Sequence, residues 1–259
     1  MTPGKPHSLS RRNWLVQALS LTGVLALSAC DRGAAFGKSL LVSAEALTLR
    51  AQRLILPRDA LAPEYRADQI SPDFRPNGSI DPAASDYVAL RDGGFADYRL
   101  EIGGLVERPL SLSLDELRRR PSRTQITKHD CVEGWTSIGQ WTGARLSDLL
   151  DEAGLRPEAK YLVFHCFDAL TQTEDGPRYY ESIDLVDARH PQTILAYEMN
   201  GQVLPVPHGA PLRLRVERQL GYKHAKYIRR IEVVDSFVAI EGGKGGYWED
   251  RGYEWYAGI

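Results

Sequence analysis

Apolar and polar positions follow two regimes along this chain. From Gly33 to about Ala96 the apolar residues are scattered, and Pro57, Pro63, Pro72, Pro76 and Pro82 interrupt any long regular element. Leu40 to Leu56 allows a partial helix and Arg75-Pro76-Asn77-Gly78 reads as a turn; the rest reads as an extended segment laid over a domain. Order sets in near Tyr98. Tyr98-Arg99-Leu100-Glu101-Ile102 alternates as a half-buried strand does, and Leu110-Ser111-Leu112 repeats the pattern in brief. Ser113-Leu114-Asp115-Glu116 is a capping-box start for a helix running to Arg120. Thr124 to Lys128 predicts a strand that delivers Cys131 at its end, and Ala144 to Ala153 an amphipathic helix stopped by Gly154. The unbroken apolar run Tyr161-Leu162-Val163-Phe164 predicts a buried strand, and Ile183 to Arg189 a short helix ending before Pro191. Ile194 to Glu198 and Val203-Leu204 flank Asn200-Gly201, a pair suited to the positive φ of a two-residue hairpin turn. Leu212 to Val216 and Ile228 to Val234 are the last strands expected. Short strands with short helices between them predict one α+β domain, not a doubly wound sheet.

Composition narrows the function classes. The 259 residues carry a net charge of −2, so no overall field favours nucleic acid or an anionic membrane, and function must come from local sites. The first thirty residues read as a processing signal. Ser10-Arg11-Arg12-Asn13-Trp14-Leu15 precedes an apolar stretch, Val16 to Ala29, that is too short for a comfortable membrane span. The paired arginines resemble the twin-arginine export signal, a route for proteins that fold around a cofactor before export. Leu27-Ser28-Ala29-Cys30 resembles a bacterial lipobox, and Asp31 resembles the signal that retains lipoproteins at the inner membrane.

With Cys30 in the signal, Cys131 and Cys166 remain, and in an exported chain they are candidates for a disulfide or for inert buried thiols. The histidines show no HExxH spacing and no CxxC occurs, which argues against zinc. A GxSxG elbow and Gly-rich phosphate loops are absent too. A Cys131–histidine nucleophile pair stays open. So does a further role: a solitary thiolate, set in Lys128-His129-Asp130-Cys131-Val132-Glu133-Gly134-Trp135, can serve a metal whose other ligands arrive with a cofactor. A second segment suits phosphate. His208-Gly209-Ala210-Pro211-Leu212-Arg213 and Gly221-Tyr222-Lys223-His224-Ala225-Lys226 combine the paired donors of an arginine, the point charge of a lysine and nearby amides.

Cys131-Val132-Glu133-Gly134-Trp135 followed by Trp141-Thr142-Gly143 resembles the molybdenum-cysteine segment of the sulfite oxidase superfamily. Asn200-Gly201 through Leu204-Pro205, with the two segments just quoted, resembles that family's pterin-binding region, and the likeness spans roughly Arg75 to Asp235. It implies a sulfite-oxidase-type molybdopterin fold of mixed sheets with short helices. It also implies a molybdenum–molybdopterin cofactor with Cys131 as protein thiolate, a soft ligand suited to that metal. Arg213 and Lys226 would hold the pterin phosphate, with His224 and Ala225 in the same turn and Asn77, His208 and Cys166 as further cofactor neighbours. Glu133, two residues past the ligand, is expected to tune the site or relay protons; His129 and Trp135 are candidates for shaping it. The basic residues that bind an oxyanion in sulfite oxidases are not clearly matched around Cys131.

The expected organisation is a twin-arginine signal with lipobox at 1–30, an irregular wrapping segment at 31–96, a molybdopterin domain at 97–240 and a Gly/aromatic tail at 241–259. The expected function is oxygen-atom transfer on a small substrate, either sulfoxide or N-oxide reduction or sulfite-like oxidation. Electrons would be exchanged with a membrane cytochrome b or a cytochrome c, since no CxxCH haem motif occurs. A periplasmic monomer is expected, tethered to the inner membrane through Cys30. The rivals are a non-catalytic anion-binding lipoprotein with a Cys131–Cys166 disulfide and a cysteine-dependent hydrolase or transferase.

Overall fold

Leu100 and Ile102 turn inward along Arg99–Gly104 (β1) while Arg99 and Glu101 face solvent. β1 seeds a five-stranded sheet. Leu110–Ser113 (β2) pairs antiparallel with one edge of β1, and Ile228–Val234 (β10) runs parallel to the other. Tyr161–Ala169 (β5) and Arg178–Asp184 (β6) continue the sheet antiparallel beyond β10. The second sheet is antiparallel throughout: Ser122–Asp130 (β3), Thr136–Arg145 (β4), Ile194–Met199 (β7) and Gln202–Val203 (β8), with Arg213–Arg215 (β9) also paired to β7. This computed structural model describes residues 47–55, 57–171 and 176–259. The export and lipobox expectations for 1–30 lie outside them. Residues 47–55 are helical and fall in an N-terminal unit, Met1–Ile55; everything below concerns the unit Leu56–Ile259.

The main core joins Leu100, Ile102, Phe164 and Ile231 to Leu149 and Leu150 of helix Leu146–Ala153, all 0–1% exposed. A smaller core lies on the second sheet, where Phe74 meets Trp141, Ile194, Ala196 and Met199.

Several elements differ from the sequence reading. Between residues 57 and 96 the one α-helix is Ser85–Asp92, anchored by Tyr87, whose hydroxyl donates to the Ala210 carbonyl at 2.8 Å. Further upstream the chain lies along the edge of β3 and over β4: Tyr65 N donates to Ile126 O at 2.9 Å and Ser71 N to Ile138 O at 3.0 Å. That covers an edge strand that would otherwise present open backbone groups. The capping box is present, with Glu116 N donating to Ser113 Oγ, but its helix stops at Arg118. Ala144 and Arg145 belong to β4, not to the next helix. Gly143 explains the close β4–β7 approach, since a Cβ there would collide with the Leu195 carbonyl. Strand β6 escapes a hydrophobic reading because Glu181 and Ser182 are fully buried in it. The helix expected over Ile183–Arg189 shrinks to Leu185–Ala188. At the hairpin turn both Asn200 (φ 52°) and Gly201 (φ 74°) take positive φ, as expected.

Glu181 is buried because it forms a three-way latch. Lys223 Nζ donates to Glu181 and, at 2.6 Å, to Glu249 Oε1 of the C-terminal tail, with all three side chains 0–1% exposed. Burial first, and Glu249 second, push the Glu181 carboxyl well above its usual 4.5. A carboxyl with a raised folded pKa contributes stability in acid and loses it as pH rises through that value. Relative to wild type, Glu181→Gln therefore gains stability as pH rises above about 5 in urea titrations; a difference independent of pH contradicts the raised Glu181 pKa. Lys223→Met, which strands two carboxylates, costs about 3–5 kcal/mol.

Candidate active site

The β3–β4 hairpin carries Cys131 at its tip. Gly134 N donates to Cys131 O and Cys131 N to Trp135 O, both at 3.0 Å, and Gly134 closes the turn with φ +85°. The thiol is half-buried. Burial pushes its pKa up, ahead of the Glu133 amide, which pulls it down. Arg75 also pulls it down, yet the balance still favours the thiol, and a bound metal would supply the charge that stabilises a thiolate here. Glu133 is half-exposed; it accepts from Trp135 Nε1 at 2.9 Å and lies 3.9 Å from Arg75.

Beneath the hairpin lies an excess of buried positive charge. Arg215 is spoken for: Glu217 takes its Nε at 2.9 Å and its Nη2 at 2.6 Å, both side chains being 0% exposed. Its Nη1 lies 3.1 Å from His129 Nδ1. That bond leaves the His129 proton on Nε2, and Nε2 has no partner among the described residues. Burial, then Arg215, hold this imidazole neutral, well below its usual range. Gly221 packs on the same ring: a Cβ there would lie 2.6 Å from His129 Nε2, so only glycine lets the 221–226 turn come this close.

Arg213 is the opposite case. It is fully buried, its Nη1 donates to His208 O at 2.9 Å, and its Nε and Nη2 have no partner among the described residues. Its guanidinium lies 4.8 Å from the Trp141 ring centroid, with Arg215 4.4 Å from the same ring. Burial and then Arg215 bring Arg213 down to about 9. Lys226 gives its three N–H bonds to carbonyls: Asn77 at 2.7 Å, Pro207 at 2.8 Å, and Ser79. Burial and then Arg213 lower it to about 7. Burial lowers His208 as well, to about 4, and its Nδ1 is unpartnered, as is Nδ1 of His224. Buried cations without counter-charge are costly unless an anion completes them.

One cavity joins these parts. Cys131, Glu133, Asn77, His224 and Lys226 line it. Arg213 and His208 are not on the lining; Arg213 is fully buried, and Ala225 is buried with its carbonyl accepting from Leu214 N at 2.8 Å. Cys166 is not on the wall: it is 1% exposed within the main core, and burial raises its thiol far above the ordinary range. Cys131 and Cys166 are both free thiols. Neither His129 Nε2 nor His224 Nδ1 bonds to Cys131, so the described residues hold no cysteine–histidine nucleophile pair. Ser79 and Asp168, which the sequence reading passed over, also line the cavity, as do Trp248 and Tyr253 of the Gly/aromatic tail, to which it assigned no site role residue by residue. Their only signal was composition: a lone aspartate after an apolar strand, and aromatics in a Gly-rich tail.

Among the described residues no three His, Cys, Asp or Glu side chains converge as an all-protein metal site. What the chain offers is one thiol and a buried set of unpartnered donors, the complement of an anionic cofactor that brings its own metal ligands. The oxidoreductase molybdopterin-binding domain model matches residues 88–238. The chain belongs to this molybdopterin-binding family. It is a molybdenum oxidoreductase of the sulfite oxidase type, with molybdenum–molybdopterin as cofactor, a small-molecule substrate and an α+β fold of mixed sheets and short helices.

Among relatives, a protein of Azospira oryzae provisionally named protein-methionine-sulfoxide reductase subunit YedZ1 is 36% identical over 96% of this chain and 88% of its own length. The protein-methionine-sulfoxide reductase catalytic subunits of Campylobacter jejuni and of Xanthomonas axonopodis pv. citri are 34% and 38% identical over 52% and 53% of the chain. The match spans about half of each of those two, 48% and 45%. Among solved structures, the sulfane dehydrogenase SoxCD of Paracoccus pantotrophus aligns at 30% identity with a TM-score of 0.48, over 54% of this chain and 39% of that one.

Proposed function

We propose that this molybdenum enzyme reduces small neutral sulfoxides, with Cys131 as the thiolate on the metal and Arg213 at the pterin phosphate. The observation that carries the reading is the character of the cavity beside Cys131. Its described walls include Val132, Leu170, Tyr222, Trp248 and Tyr253, with the carboxyl groups of Glu133 and Asp168 and no arginine. Its one lysine, Lys226, has all three N–H bonds committed to backbone carbonyls. An oxyanion such as sulfite needs free cationic donors; a sulfoxide does not. The names of the relatives point the same way.

When bound, the cofactor supplies two-electron oxygen-atom transfer. The chain's own residues bind and orient. The free Nε and Nη2 of Arg213 would take phosphate oxygens, and Asn77, His208, His224, Ala225 and Lys226 would hold the pterin; Cys166, in the core, would have no direct part. Reduction of a sulfoxide to thioether and water takes up two electrons and two protons. Asp168 lines the cavity with Oδ1 unpartnered, and burial, opposed by Ser79 and Lys226, holds its carboxyl up at about 6, so it can store a proton there. Glu133, at the rim, is placed to pass protons from solvent. Electrons come from a membrane cytochrome b or a cytochrome c. The protein works as a periplasmic monomer exported by the twin-arginine route and tethered through Cys30, a reading supported by the sequence of its first thirty residues.

The test is a substrate panel on purified holoenzyme, with a reduced viologen for sulfoxides and N-oxides and ferricyanide for sulfite. The expected kcat/KM for methionine sulfoxide exceeds that for sulfite by about a thousandfold or more. Sulfite turnover equal to or faster than sulfoxide turnover overturns the reading.

A further inference from the structure

We propose that the C-terminal segment 241–259 supplies the substrate-recognising wall of this enzyme, an aromatic recess in which Trp248, Tyr253 and Tyr222 take the apolar arms that flank a sulfoxide sulfur. The proposal rests on the sulfoxide reading above and adds to it the residues that select the substrate.

Trp248 and Tyr253 line the same cavity as Cys131. Their rings lie 5.2 Å apart, and Tyr222 meets Tyr253 edge to face at 5.2 Å. Tyr253 stays 40% exposed on the cavity lining, as does half-exposed Val132. Both aromatics lie beyond the residues matched by the family model, 88–238.

The recess is tied down by a set of polar bonds, one of them fully buried. Glu249, next to Trp248, is clamped by Lys223 at 2.6 Å. Asp250 accepts from the backbone amides of Gly242 and Lys244 at 3.0 Å and from Tyr180 Oη at 2.5 Å. Tyr253 N donates to Trp248 O at 3.0 Å, and Tyr222 Oη to Glu254 O at 2.6 Å. A wall ordered before the substrate arrives loses little freedom on binding. Its chemistry favours one class: sulfur and its alkyl or aryl arms pack well on aromatic rings, whereas ring faces carry negative potential and disfavour an oxyanion.

Trp248→Leu and Tyr253→Leu keep apolar bulk and remove the rings; Trp248→Phe and Tyr253→Phe keep them and serve as rescue. In holoenzyme, each leucine variant raises KM for methyl p-tolyl sulfoxide about tenfold with kcat within about threefold, and the phenylalanine variants recover most of the affinity. The dissociation constant of the unreactive methyl p-tolyl sulfone, read by intrinsic fluorescence, rises in the same proportion. Should Trp248→Leu loosen the tail, Tyr253→Leu at its exposed position carries the test alone. Unchanged KM and unchanged sulfone affinity in a leucine variant of wild-type thermal stability overturn the aromatic wall. A wild-type holoenzyme that reduces no sulfoxide overturns the underlying reading instead.

Discussion

Cys131→Ser lowers oxidoreductase turnover by about a thousandfold or more while leaving the fold intact, as read by viologen-linked assay beside far-ultraviolet circular dichroism and thermal melting. The size follows from the position. Residues one shell removed from a metal cost 10–100-fold when replaced, and a direct thiolate ligand sets the electronics of the centre itself, so its loss costs more. The fold survives because Cys131 contributes little to it. The residue sits half-buried at a hairpin tip whose turn is closed by backbone bonds from Gly134 and to Trp135, and serine makes these equally well. Cys166→Ser is the contrast: it places a hydroxyl in the main core and lowers stability, with turnover per folded molecule unchanged. A Cys131→Ser protein that retains more than a tenth of wild-type turnover contradicts the ligand assignment.

Arg213→Met abolishes cofactor retention yet leaves the cofactor-free protein as stable as wild type or more so. Two nitrogens of Arg213, Nε and Nη2, find no acceptor in the described protein, and burial lowers it to about 9, so the charge is a cost until an anion arrives. Methionine fills similar volume without that cost. Its neighbour Arg215 gives the opposite result. Arg215→Met strands Glu217 in the interior and frees the His129 ring, and costs about 3–5 kcal/mol of stability. Thermal melting of cofactor-free protein against inorganic phosphate separates the two. Phosphate raises the midpoint of wild type and not of Arg213→Met. The stabilisation grows as pH falls from about 9 toward about 7, because Arg213 and then Lys226 gain the charge that phosphate neutralises. Equal phosphate stabilisation of wild type and Arg213→Met contradicts the assignment.

Much of the strand pattern was legible because one face of β1, β3 or β10 is buried and the alternation survives in the sequence. Elements failed to show where long-range partners override composition. Strand β6 reads as polar because Glu181 looks like a surface residue until Lys223, 42 positions away, is folded against it. Strand β4 reads as a loop because its glycines serve contacts with Phe74 and with β7. At the site, Cys131, Arg213 and Lys226 stood out through spacing and resemblance, for the chemistry of thiolate and phosphate dictates residue type. That Lys226 is saturated by three carbonyls, and that Cys166 lies in the core, no local pattern encodes. Trp248 and Tyr253 are the clearest case. Nothing in a Gly-rich tail has a period, and the tail is brought to the cavity by long-range bonds such as Lys223 to Glu249 and Tyr222 to Glu254.

The central claim is that the Cys131 sulfur binds molybdenum. X-ray absorption at the molybdenum edge, on holoenzyme purified from a host that makes the cofactor, reads it most directly. Wild type shows one more sulfur neighbour at the metal than Cys131→Ser loaded with the same cofactor. The same number of sulfur neighbours in both proteins contradicts it.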